Sequence, residues 1–293
     1  MDKFLQLTLT GFTNGAIFAL VALGFVLIYK ASDVINFAQG DFLLAGAYIT
    51  FGLIAQVGLP WSVGVLLAIV AAVIIGIIVE RFVLRPMIGE PIISVIMVTI
   101  GLSSLLRAIV TAIWGTTGRQ FPSFLPSQPI NIGDAVVPAD RLIAIGLAAV
   151  LLVVFALFFR YTKEGIAMRA TADDQQAALS MGISVKTIFA IAWSISAVTA
   201  VLAGIIVANI TELSFFAVAG IGLHVFPVVI LGGLDSIPGA IIGGLIIGLV
   251  ESYIGGYTPS ELALRTVFPF IVLIIILMIK PYGLFGEERI ERV

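Results

Sequence analysis

The residues best suited to chemistry in this chain are few, and they lie among apolar stretches. Asn36, Gln39 and Asp41 fall within one polar interruption, Asn36-Phe37-Ala38-Gln39-Gly40-Asp41. Thr99 and Ser103 stand four residues apart, which puts them on one face of a helix. Asp235 lies in a second interruption, Gly232-Gly233-Leu234-Asp235-Ser236-Ile237-Pro238-Gly239. In hydrocarbon such groups are costly unless paired or wetted, so each is a candidate for lining a solute path or for holding a broken helix together. Asp41 sits where a helix would start, a favourable place for a carboxylate, and a structural role weighs more for it than a transport role. Arg107, two-thirds along its apolar segment, either pairs with a carboxylate or snorkels outward. Glu251, near a segment end, reads as interfacial. His224, just ahead of Phe226-Pro227, reads as packed or interfacial.

Other chemistries are excluded. The chain has one histidine and no cysteine, so no His/Cys metal cluster and no disulfide can form. No Gly-x-Ser-x-Gly element appears, and no lysine follows a glycine, so a phosphate-binding P-loop is absent. No catalytic residue, metal or cofactor is expected. If ATP drives this protein, partner subunits bind it. The net charge of −2, without a basic patch, gives no reason to expect nucleic acid.

Composition supplies the elements that must position these groups. Of 293 residues, 60% are apolar and only 11% charged, and the mean hydropathy is +1.20. A soluble domain carries roughly a quarter charged residues. The runs Phe42–Val79, Leu142–Phe159 and Thr187–Thr211 contain no Asp, Glu, Lys or Arg. About 20 apolar residues cross a bilayer as a helix, so these runs are membrane spans. The expected fold is all-α and polytopic, a single transmembrane domain over 1–293. It has eight to nine membrane segments and two broken or re-entrant elements. The segments are 5–29, 41–57, 61–79, 92–114, 142–159, 187–210, 218–234, 237–255 and 263–280. The stretches 33–41 and 232–239 are expected to be non-helical and kept from lipid, one in each half.

Lys and Arg set the orientation. Loop 80–91 (Arg81, Arg85), loop 160–186 (Arg160, Lys163, Arg169, Lys186) and the C-terminal tail (Lys280, Arg289, Arg292) are placed in the cytoplasm. Even numbers of crossings between them agree with this and require a real reversal near Gly232–Gly239. Counting backward puts the N-terminus outside, against the charge of Lys3. The segment 115–141, with Pro122, Pro126, Pro129 and Pro138, is an irregular external loop.

The cytoplasmic stretch 163–183 is amphipathic and helix-prone, and a glycine closes it. Its Gln176-Ala177-Ala178 followed by Gly182 resembles the Glu-Ala-Ala-x-x-x-Gly pattern of ABC-importer permeases. Gln stands in place of Glu, and the usual downstream Leu-Pro is absent. Val34–Asp41, the loop after Arg169-Ala170 and the Gly232–Gly244 stretch occur in one order. Together they resemble the branched-chain amino-acid ABC-importer permease family, in its shorter H-type subunit, over nearly the whole chain.

That resemblance implies a heterodimer with a second, M-type permease, two ABC ATPase subunits and an extracytoplasmic substrate-binding protein. It also implies ATP-driven alternating access in a bacterial inner membrane. It makes 163–183 a coupling helix, with Arg169, Asp174, Gln176, Ala177, Ala178 and Gly182 as its candidate ATPase contacts. The implied solute is a branched-chain amino acid, although members of the family also carry urea or short amides. An ion-coupled secondary transporter and a passive small-solute channel are the rival readings. The first would use Asp41, Asp235 or Glu251 as its ion site.

Overall fold

The computed structural model describes residues 2–132, 135–259 and 264–286. The tail residues Arg289 and Arg292 lie outside them. Eleven helices and one short hairpin are present among the described residues: α1 (Asp2–Ser32), α2 (Gln39–Phe51), α3 (Trp61–Val79), α4 (Ile92–Trp114), β1 (Pro129–Ile132), β2 (Ala135–Pro138), α5 (Ala139–Tyr161), α6 (Lys163–Asp173), α7 (Gln175–Ser180), α8 (Val185–Ile210), α9 (Phe215–Gly232), α10 (Ile237–Tyr257) and α11 (Leu264–Ile279). Six of the helices are long and apolar enough to cross a membrane, namely α1, α3 with its continuation to Met87, α4, α5, α8 and α10. Residues 218–232 of α9 and helix α11 are shorter apolar helices. Helix α2 is prolonged by a π-turn over Gly52–Gln56. The polytopic helical fold expected from composition is therefore present.

The helices divide into a core and a rim. In α1, 89% of the most apolar stretch is buried, and in α8 72%; α3, α4 and α5 bury only 28%, 17% and 22%. Glycines explain why α1 goes to the centre. It runs antiparallel to α10, so that Gly11 faces Leu249 and Gly15 faces Gly244 and Leu245. A Cβ on Gly15 would come within 2.9 Å of the α10 backbone. Small residues there let two backbones touch, which is how helices associate when hydrocarbon removes the usual hydrophobic drive. Helix α4, in contrast, buries one stripe, Val95, Thr99, Leu102, Leu106 and Val110, and leaves the rest of its surface outward. An apolar exterior of this kind is what a bilayer requires.

Several boundaries differ from expectation. The first interruption is non-helical only over 33–38, because α2 begins at Gln39 and Asp41 is already in its first turn. The second spans only 233–236. The segment 115–141 is not wholly irregular. Pro129–Ile132 pairs with Ala135–Pro138, and α5 begins at Ala139. The rest of that segment is anchored, since the backbones of Arg119 and Leu213 exchange hydrogen bonds of 2.9 and 3.1 Å. Finally, 163–183 is two helices. Asp174 takes an extended conformation (φ −155°, ψ 109°) that ends α6 and caps α7.

Candidate functional site

The first break is held by polar side chains that the fold gathers from three helices. Helix α1 ends in a left-handed turn at Asp33 (φ 53°), whose N–H bonds the Tyr29 carbonyl at 2.7 Å. Asn36 then folds back on its own chain, its Oδ1 accepting from Ala38 N at 3.0 Å. This local turn supplies the freed backbone with partners, which asparagine does better than most residues. Asn36 Nδ2 donates to Gln39 Oε1 (3.1 Å), and Ser196 Oγ of α8 donates to the same oxygen (2.9 Å). Gln39 Nε2 donates to the Ser196 carbonyl (3.3 Å). Gly24 of α1 makes room for this cluster: a Cβ there would lie 2.5 Å from Gln39 Nε2.

Helix α4 supplies the other side. Thr99 Oγ1 accepts from Phe37 N at 3.3 Å and donates within its own helix to the Ile96 carbonyl at 2.8 Å. One turn on, Ser103 Oγ donates to Asp41 Oδ2 at 2.5 Å. A further turn on, Arg107 Nε donates to Asp41 Oδ1 at 2.8 Å, and its Nη2 reaches Oδ2 at 3.3 Å. Side chains on a helix lean toward its N-terminus, so Arg107 points back down onto the Ser103 level. Asn36, Gln39, Asp41 and Thr99 are all 2% exposed or less. Asp41 also occupies the positive end of α2. The arrangement makes a buried carboxylate tolerable by surrounding it with a guanidinium, a hydroxyl and a helix dipole.

Five of the six path or broken-helix candidates, Asn36, Gln39, Asp41, Thr99 and Ser103, thus form one connected site. Asp235 does not join it. Its carbonyl accepts from Lys30 Nζ at 3.4 Å, and it lines a separate cavity with Arg160 and Arg169. Ser196 was not legible in the sequence, because Ser194 and Thr199 of the same helix look alike there and bond only the backbone of their own helix.

A second intramembrane pair joins α9 to α10. His224 Nδ1 lies 2.6 Å from Glu251 Oε1, with the Phe18 ring 5.9 Å from the imidazole. Glu251 is 1% exposed, so it is buried within the protein and paired with His224. The pair borders a cavity of about 550 Å³ that also receives Thr13, Asn14, Arg141 and Arg265.

The loop helices present a third feature. Asp174 Oδ1 accepts from Gln176 N (2.8 Å) and Ala177 N (2.9 Å), so it starts α7 as its N-cap. Gly182, at φ 82°, closes it. Gln176 and Ala177 are exposed, whereas Ala178 is buried against its own chain. Sequence reasoning missed Leu179 and Met181, which stand 57% and 81% exposed at the same tip. Arg169 leans the other way, toward the Arg160 carbonyl.

Comparison with known proteins agrees with this architecture. Residues 7–277 match the family described as "Branched-chain amino acid transport system / permease component". The chain is 30% identical to the high-affinity branched-chain amino acid transport system permease protein LivH of Salmonella typhimurium, over 99% of this chain and 98% of that one. It is 29% identical to the corresponding protein BraD of Pseudomonas aeruginosa, over the same shares. A probable LivH of Methanocaldococcus jannaschii is 28% identical over 92% of this chain and 88% of its own. Among solved structures, PsaBC of Streptococcus pneumoniae, in complex with a Fab, superposes with a TM-score of 0.52 at 15% identity. That superposition covers 95% of this chain and 92% of the other, and it speaks for the fold alone. A helical core built on α1 and α8, an apolar rim, and a match that runs nearly end to end lead to one assignment: the chain belongs to the branched-chain amino-acid transport permease family.

Proposed function

We propose that this permease is one of two membrane-spanning halves of an ABC importer for a branched-chain amino acid. A second, related permease completes the pair. Two ATPase subunits sit on its cytoplasmic face and a solute-binding protein docks outside. The single domain lies in a bacterial inner membrane, with loops 80–91 and 160–186 and the C-terminus in the cytoplasm and 115–141 outside. The names carried by its full-length relatives support the solute class.

The observation that carries the ATP-driven reading is α7. It is capped at both ends and offers Gln176, Ala177, Leu179 and Met181 to an absent neighbour, at the position where the family pattern lies. An apolar tip on a short, rigid helix suits a groove in a partner, and movement of that partner would be passed to α8 through the Ile183–Ser184 connection. The intramembrane carboxylates point the same way. Asp41 is held by Arg107 and Glu251 by His224, so neither is poised as a coupling-ion site.

In this mechanism the Asn36–Asp41 cluster is a rigid joint. It fixes the start of α2 against α4 and α8, so that these elements move together when the two permeases rearrange. The test is reconstitution of the permease pair with its ATPases and binding protein in proteoliposomes. Leucine uptake should require ATP and loaded binding protein. Accumulation driven by an ion gradient in the permease alone would replace this reading with a secondary transporter.

A further inference from the structure

A cavity of about 410 Å³ lies where α1 and α5 end and α10 begins, away from the Asn36–Asp41 cluster. Among the described residues, Lys30, Arg160 and Arg169 line it together with the single carboxylate of Asp235. Among the described residues none of the three cations is in an ion pair with a carboxylate. The N-terminus of α10, a helix of 21 residues, enters the same cavity at Ser236–Pro238 and adds the positive end of its dipole. The ligand chemistry is that of a phosphate-bearing anion.

Two features distinguish a lipid from a soluble phosphate. The cavity wall includes Ala156 and the buried Phe159 of α5, so part of its lining is apolar. Leading away from Arg160 along α5, Leu157, Val154, Val153 and Val150 are 51–61% exposed and recur at helical spacing. A diacyl lipid laid along that stripe would bring its headgroup to Arg160, one turn beyond Leu157. Basic pockets between spanning helices on the cytoplasmic side commonly take anionic headgroups in this way.

We propose that this cavity binds the headgroup of an anionic phospholipid, with Lys30 and Arg160 as its principal ligands and Arg169 closing it from α6. The site ties the ends of α1 and α5 to the start of α10, the second chain break. It rests on the proposed cytoplasmic placement of these helix ends but not on the transport reading, because lipid retention is read without transport.

The test is native mass spectrometry of the assembled transporter after exchange into phosphatidylglycerol, cardiolipin or phosphatidylcholine, with inorganic phosphate alone as a separate arm. The wild type should retain the anionic lipids and not phosphatidylcholine. The double variant Lys30→Gln/Arg160→Gln should lose that retention by on the order of tenfold or more, since each basic residue adds to headgroup affinity. Arg160→Lys in an otherwise native chain, which keeps the charge, should retain most of it and guards against a folding artefact. Equal retention of lipid by the double variant and the wild type overturns the site. Stabilisation by inorganic phosphate equal to that by phosphatidylglycerol overturns the lipid assignment. Loss of the ATPase with lipid retention intact would mark the cavity as a protein contact and also overturn it.

Discussion

Gly40 and Gly222 meet backbone to backbone where α2 crosses α9. A Cβ built on Gly40 would lie 2.7 Å from the Gly222 Cα, and one built on Gly222 would lie 2.6 Å from the Gly40 Cα. No side chain can yield there, because the obstacle is main chain on both sides. The contact sets the distance between the broken-helix cluster and α9, which carries His224.

Gly40→Val should therefore push α2 from α9 and cost about 1–3 kcal/mol, the usual range for overpacking. Gly101→Val, on the outward face of α4 with no atom near its Cβ position, should be close to neutral. Thermal unfolding of the two purified variants in detergent measures the difference. Equal midpoints would show that the Gly40–Gly222 contact is not tight.

Arg107→Gln removes the counter-charge of a carboxylate whose side chain is 2% exposed. Breaking one partner of a buried pair costs about 3–5 kcal/mol, and the half-exposed guanidinium places this case at the lower end. Adding Asp41→Asn to Arg107→Gln should recover part of the loss, because no buried charge then remains. Denaturant unfolding of both singles and the double gives the coupling energy. Additive losses would mean the pair is not coupled.

Asp174→Ala should act on α7 itself, since Asp174 is its N-cap. Loss of such a cap costs about 1 kcal/mol of local helix stability. Gly182→Trp is expected to act more strongly, because the φ of 82° disfavours any L side chain and the ring would crowd the docking tip. The Gly182 variant should insert normally, bind the external receptor and fail to co-purify with its ATPase. Full ATPase retention in that variant would remove α7 from the coupling role.

Orientation is testable because the native chain has no cysteine. With a membrane-impermeant thiol reagent on intact cells, Ser123→Cys in the outer segment should be labelled and Arg169→Cys should not. The reverse pattern would invert the topology, and with it the placement of the lipid cavity.

Much of this was written in the one-dimensional pattern. Long uncharged runs sufficed for spans, since hydrocarbon admits only helices there, and the clustering of Lys and Arg ordered the loops. The two polar interruptions marked where helices break, because the Asn36 turn and the Ser236 cap are local hydrogen bonds that depend on near neighbours in the chain. The family pattern in Gln176–Gly182 was equally local.

What required the tertiary structure was the choice of partners and faces. The sequence left Arg107 free to pair or to snorkel; only the packing of α4 on α2 brings it to Asp41, 66 residues earlier. Glu251 lies near a segment end in the sequence, and only the packing of α9 on α10 brings His224 beside it. Ala178 is a docking candidate by the family pattern, and only the folded chain shows it buried while Leu179 and Met181 stand exposed. Periodicity fixes which residues share a face of a helix. It does not fix where that face points, because in a chain that is apolar almost throughout, the lipid side and the protein side of a helix use the same residue types. Close backbone contacts such as Gly40–Gly222 make that decision, and they exist only once the helices are packed.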